Sequence, residues 1–262
     1  MLIVDFFLIA FALTECTTYI RQLQHNKSKK SVYGSSFDFF LLNYIGFLTR
    51  TIYSLFHAVN VTCQLQYARR FPVHPRINVN MVVLAIDCVT SVVSFGIMLQ
   101  FFHYRKTRNI YQGLSPFAAA VCAVFLLLFL YVLYCCVKSR LKIVFLDVID
   151  TLWLISTCAN TFKLIPQVWI NFLARCTLGL DLWFLPLQLM AATFMSCSVV
   201  NNLNWWEAPV NMNSWWSLYV YMGMLLLLSA QGYIYKSNKP TAIFYQEVWT
   251  LVYRVYTWSR NM

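Results

Sequence analysis

Four residues that could do chemistry fall within the stretch KLIPQVWIN: Lys163, Pro166, Gln167 and Asn171, at the end of a long apolar run. Proline has no amide hydrogen and its ring collides with the preceding turn. A helix is therefore expected to kink or end at Pro166, leaving carbonyls near Phe162 and Lys163 open. Gln167 and Asn171 are four apart and share a face if the helix resumes. An ammonium beside two amides suits non-covalent work. Lysine can pair with a solute carboxylate, and the amides can hydrogen-bond a polar solute. The structural alternatives are a hinge cap made by the amides and a lysine that snorkels to the headgroups. A related pattern, FLPLQLM, sets Pro186 two residues before Gln188, and Asn43 lies in FDFFLLN. Unpaired amides are unwelcome in hydrocarbon, so both should point inward, toward a ligand or a neighbouring helix. The carboxylates within apolar runs are Asp5, Glu15, Asp87, Asp147 and Asp150, with Asp38 and Asp181 nearer an interface. A carboxylate drawn out of water can take up a proton and carry it through a conformational cycle. Asp87 is the most central and is the candidate for proton coupling.

The surroundings of these residues are those of a membrane protein. Hydrophobic residues make up 60% of the 262 and charged residues 11%, too few to cover a soluble core. The net charge of +11 is dispersed in short clusters between apolar runs. With no zinc pattern and no contiguous basic arm, it reads as topology and anionic-lipid contact, and nucleic acid is not an expected partner. The nine cysteines contain no CxxC pair, so neither a disulfide framework nor a metal site is expected, and no cofactor. No serine–histidine or paired-carboxylate constellation suggests an enzyme. The opening MLIVDFFLIAFALTE lacks a basic leader and a cleavage site, and reads as a retained span.

Apolar length predicts seven spans, at about 2–21, 37–58, 80–102, 116–136, 143–165, 180–200 and 214–235. Twelve of the 20 basic residues fall on the side reached with the amino terminus outside, and six on the other. That bias predicts a luminal amino terminus and a cytosolic carboxyl terminus. The sequon Asn60-Val61-Thr62 then faces the lumen, making Asn60 a glycosylation candidate. Trp205, Trp206, Trp215 and Trp216 read as an interfacial aromatic belt, and Tyr245-Gln246-Glu247-Val248 fits a tyrosine-based sorting pattern.

The chain also repeats. The shift that aligns Gln22 with Gln167 aligns Asn26 with Asn171, Gly34 with Gly179 and Asn43 with Gln188. Three spans, a linker span and three more spans follow as the division. The expected fold is all-α and polytopic, with seven transmembrane helices forming two parallel three-helix bundles. Residues 1–112 form the first, 113–138 the linker, 139–236 the second and 237–262 a cytosolic tail. Parallel repeats of this kind enclose a central pathway and alternate access as they rock.

The line KKSVYGSSFDFFLLNYIGF, together with KLIPQVWIN, resembles the PQ-loop family, and within it the cystinosin branch of lysosomal or vacuolar cystine transporters in its compact fungal form. The resemblance implies proton-coupled export of cystine to the cytosol. It makes Asn43, Lys163 and Asn171 substrate-binding, Pro166 and Gln167 the second PQ pair, and Gln22 and Asn26 the remnant of the first, with Arg21 in place of its proline. Three positions depart from the pattern. Gln188 stands where the family has a proton-linked aspartate, Phe184 replaces an asparagine, and Met81 aligns with an acidic residue. Gln188 is thus expected as a further hydrogen-bonding contact, with Asp87 left as the proton carrier. The expected partners are a small amino acid, protons and membrane lipid. Two other expectations stand beside cystine: a different or cationic amino acid, and a non-transporting membrane scaffold or trafficking factor.

Overall fold

The computed structural model describes residues 2–107, 112–177, 179–201, 209–236 and 238. Trp205, Trp206, the sorting pattern at Tyr245 and all of the expected tail except residue 238 lie outside them.

The described chain is an all-α polytopic membrane protein. Its helices are α1 (Leu2–Lys29), α2 (Phe37–Val59), α3 (Val61–Arg70), α4 (Met81–His103), α5 (Pro116–Val137), α6 (Phe145–Phe162), α7 (Ile165–Ala174), α8 (Phe184–Asn201) and α9 (Trp215–Ile234). Their starts follow from capping chemistry. Ser36, Asn60, Asn80 and Ser115 each accept from the amide three residues on, and Pro116 occupies the first helical position after Ser115. Within the spans, Thr14, Thr18, Thr49, Thr90, Thr161 and Thr193 donate back to the carbonyl four residues earlier. A hydroxyl so engaged no longer needs water.

Among the described residues six helices, α1, α2, α4, α5, α8 and α9, are long and apolar enough to cross a membrane. The span expected at 143–165 is corrected in form. α6 stops at Phe162, the residue whose carbonyl the ring of Pro166 would strike, and α7 resumes at Ile165 and continues to Ala174. The first span is longer than expected, running to Lys29, because Arg21 keeps the amide that a proline would remove. The short helix α3 occupies a stretch read as loop.

Packing follows the repeat. α4 lies against α1 and α2, while α9 lies against α6, α7 and α8. The long cross-contacts are α1 with α8 and α2 with α6, which exchange under the repeat that pairs α1 with α6–α7 and α2 with α8. α5 rests chiefly on α6 and sits at the periphery: 6% of its apolar window is buried, against 56% for α2. An aromatic core of Tyr19, Phe39, Phe40, Phe47, Phe101 and Phe184 fills the centre. α2 and α6 approach closely at Gly46, where a Cβ would fall 2.7 Å from the Asn160 side chain and where Ser156 Oγ donates to the Gly46 carbonyl at 2.8 Å.

Candidate functional site

The break between α6 and α7 puts Lys163 in the interior, with 2% of its surface exposed. Its Nζ donates to Glu15 Oε1 of α1 at 2.6 Å and to Asn43 Oδ1 of α2 at 3.1 Å. Three rings surround the ammonium: Phe47 at 5.1 Å, Tyr19 at 5.4 Å and Tyr221 at 5.4 Å. Asn43 is oriented by its other end, where Nδ2 donates to Ser94 Oγ of α4 at 2.8 Å. Gln188 lies beside this group and accepts from the Tyr221 hydroxyl.

A second ion pair lies toward the amino-terminal end. Arg50 Nη2 meets Asp87 Oδ1 at 2.5 Å, and Nη1 donates to Asn213 Oδ1 at 3.0 Å just before α9. Two cations and two anions thus neutralise one another inside the membrane, which is what makes their burial tolerable. Several polar atoms around them lack a protein partner, among them Asp87 Oδ2, Gln188 Nε2 and Asn160 Oδ1. A cavity of about 20 Å³ lies between the halves, lined in part by Glu15, Asn160, Lys163, Asn213, Ser217 and Tyr221. That volume suits one water and no amino acid.

The other amides build a different object. Gln22 Nε2 donates to Asn26 Oδ1 at 2.9 Å and to the Gly179 carbonyl at 3.1 Å, while its Oε1 accepts from Asp181 N at 2.9 Å. Gln167 Nε2 donates to Asn171 Oδ1 at 2.9 Å and to the Gly34 carbonyl at 3.1 Å, and its Oε1 accepts from Ser36 N at 2.8 Å. Each half clasps the loop of the other with the same two bonds, and a third ties the glutamine to the asparagine of its own helix. The loops meet so closely that a Cβ on Gly179 would fall 1.9 Å from the Gly34 carbonyl carbon, and Gly34 itself has a φ of 82°. This reciprocal latch closes the end of the molecule opposite the amino terminus.

The PQ-loop repeat family matches residues 3–62 and 148–207, which cover both halves of the latch. These two segments are similar to the PQ-loop repeat. The chain is 26% identical over 236 residues to an uncharacterized protein of Saccharomyces cerevisiae, covering 84% of its own length and 90% of the yeast chain. It is 24% identical over 205 residues to a protein of Caenorhabditis elegans described as a cystinosin homolog, covering 77% of its own length. It spans 47% of the worm protein. Among the described residues no group of three or more His, Cys, Asp and Glu side chains could hold a metal ion.

Of the expected site residues, the fold brings Asn43, Lys163 and Gln188 together and places Asn171 in the latch, where its Oδ1 accepts from Gln167. Gln22 and Asn26 occupy the equivalent latch, Pro166 sits at the break, and Asp87 is held by Arg50. Asn60 caps α3 through Oδ1, which accepts from Cys63 N at 3.0 Å. Beyond the spans, burial pushes the Cys63 thiol up to about 11, aided by the nearby Asp150 charge, which leaves it inert as a nucleophile. Sequence reasoning assigned no role to Glu15, Arg50, Tyr19 or Tyr221. A signal for Glu15 was present: the repeat sets Lys163 against Thr18, one turn from Glu15 on the same helical face.

Proposed function

We propose that this protein is a solute carrier that moves a small zwitterionic amino acid, with cystine as first candidate, from the lumen of a lysosome or vacuole to the cytosol together with protons. The observation that carries this reading is the buried Lys163 ammonium, held beside the Asn43 amide and opening on a cavity between the two repeats. In a carrier that ammonium receives a carboxylate. The four buried charges sum to zero, which favours a solute of no net charge over a cationic one. The description of the worm relative as a cystinosin homolog supports cystine in particular.

The architecture proposed with this function is the three-plus-one-plus-three division, residues 1–112 and 139–236 flanking a linker helix at 113–138, with a tail from 237. Support comes from the exchanged packing of α1 on α8 and α2 on α6, the matched latch and the peripheral α5. Basic-residue bias supports a luminal amino terminus, and the latch then closes the cytosolic side.

Counterflow of labelled cystine into proteoliposomes, with and without an inward proton gradient, tests the proposal. Saturable uptake that disappears in Lys163→Gln is expected. A second reading, a non-transporting scaffold, is favoured by the one-water size of the cavity. It wins if neither cystine nor any other amino acid exchanges.

A further inference from the structure

Lys163 already has a carboxylate partner. Glu15 sits 2.6 Å from Nζ with 3% of its surface exposed, and Asn43 and three aromatic rings take up the rest of the ammonium. A solute carboxylate that is to bind Lys163 must therefore replace Glu15, the same chemical group at the same donor. The displaced Glu15 would then be an unpaired anion walled by Tyr19, Tyr221 and Phe11, an arrangement that burial penalises strongly. A proton on Glu15 removes that cost.

We infer that Glu15 is a tethered counter-ion that holds Lys163 while the site is empty and releases it to the solute by taking up one proton. This inference rests on the carrier reading and deepens it. The charged and titratable groups facing Glu15 are Lys163 at the α6–α7 break, Arg50 of α2, Asp87 of α4, Tyr221 of α9, and Tyr19 and Cys16 on its own helix. Among them the other carboxylate, Asp87, is committed to Arg50 and does not line the cavity, whereas Glu15 and Lys163 both do. Gln188 is an amide bonded to Tyr221 and carries no proton.

The step balances simply. A proton from luminal water binds the Glu15 carboxylate, and the bond from Lys163 Nζ to Oε1 is given up. Lys163 keeps its charge and donates to the solute carboxylate. On the other side the solute leaves, Glu15 returns its proton to water, and the ion pair re-forms. One proton accompanies each carboxylate docked, so a net-neutral solute moves with one positive charge.

The test separates this inference from the carrier reading by not depending on transport. Infrared difference spectra of the reconstituted protein, taken between neutral and acidic buffer with and without cystine, report protonated buried carboxyls. A carboxyl band that grows on acidification, is lost in Glu15→Gln and survives in the Arg50→Gln/Asp87→Asn double variant is expected. Because Glu15→Gln strands the Lys163 charge and so works against folding, Glu15→Gln/Lys163→Gln gives the same comparison with both charges removed. A band absent from wild type, or kept without Glu15 and lost without Asp87, overturns the inference. In counterflow, stimulation by the proton gradient should fall to none in Glu15→Gln. Undiminished stimulation overturns the inference while leaving the carrier intact. Absence of all transport refutes the carrier, and the infrared result still decides where the proton binds.

Discussion

Burying an arginine in the membrane interior is tolerable only because Asp87 answers it at 2.5 Å and Asn213 takes a second donor. Asp87→Asn should therefore cost about 3–5 kcal/mol by stranding the guanidinium, read as an earlier unfolding midpoint in detergent. Replacing both partners, Arg50→Met with Asp87→Leu, should recover most of it. The latch offers a second comparison at this scale. Gln22 and Gln167 each make the same three bonds, so Gln22→Leu and Gln167→Leu should lower stability by similar amounts, about 1–3 kcal/mol. Unequal losses would break the symmetry argument. The amide pairs were legible in the sequence because spacing by four puts both residues on one face whatever the fold. What that face meets was not legible. Gln167 turns to the loop of the opposite half, a contact made across the chain, as is the bond between Glu15 and Lys163. Local spacing cannot announce a partner 148 residues away.

Among the elements, the sequence located the helices well wherever apolar length, a Ser or Asn cap and a proline agreed, as at Ser115-Pro116. It misplaced ends where polar residues continue a helix beyond the membrane, as α1 does to Lys29. The two first helices of the repeat differ in one respect. α1 is continuous, whereas α6 and α7 are parted at Lys163 and Leu164. Bending is therefore expected in the second half alone. Pro166→Ala restores an amide and removes the ring that ends α6, and should raise the melting temperature while slowing counterflow. A variant as fast as wild type would mean that the break plays no part in the cycle.

For the whole molecule, closure depends on two loops that cross with no room for a side chain. Gly179→Ala forces the loops apart, because the added methyl would overlap the Gly34 backbone. Cys176, next to this crossing, is 3% exposed and should then react with a membrane-impermeant maleimide from that side, at a rate well above wild type. Unchanged labelling would show that the end is sealed by something other than the loops. One ring ties that interior together. Phe47 lies 5.1 Å from the Lys163 ammonium and 4.8 Å from the Arg50 guanidinium. Neither cation can shift without disturbing the face that the other rests on, and Arg50 in turn grips the segment leading into α9. A shift of the lysine is thereby felt at the segment leading into α9, and a smaller side chain at position 47 should let the two slip.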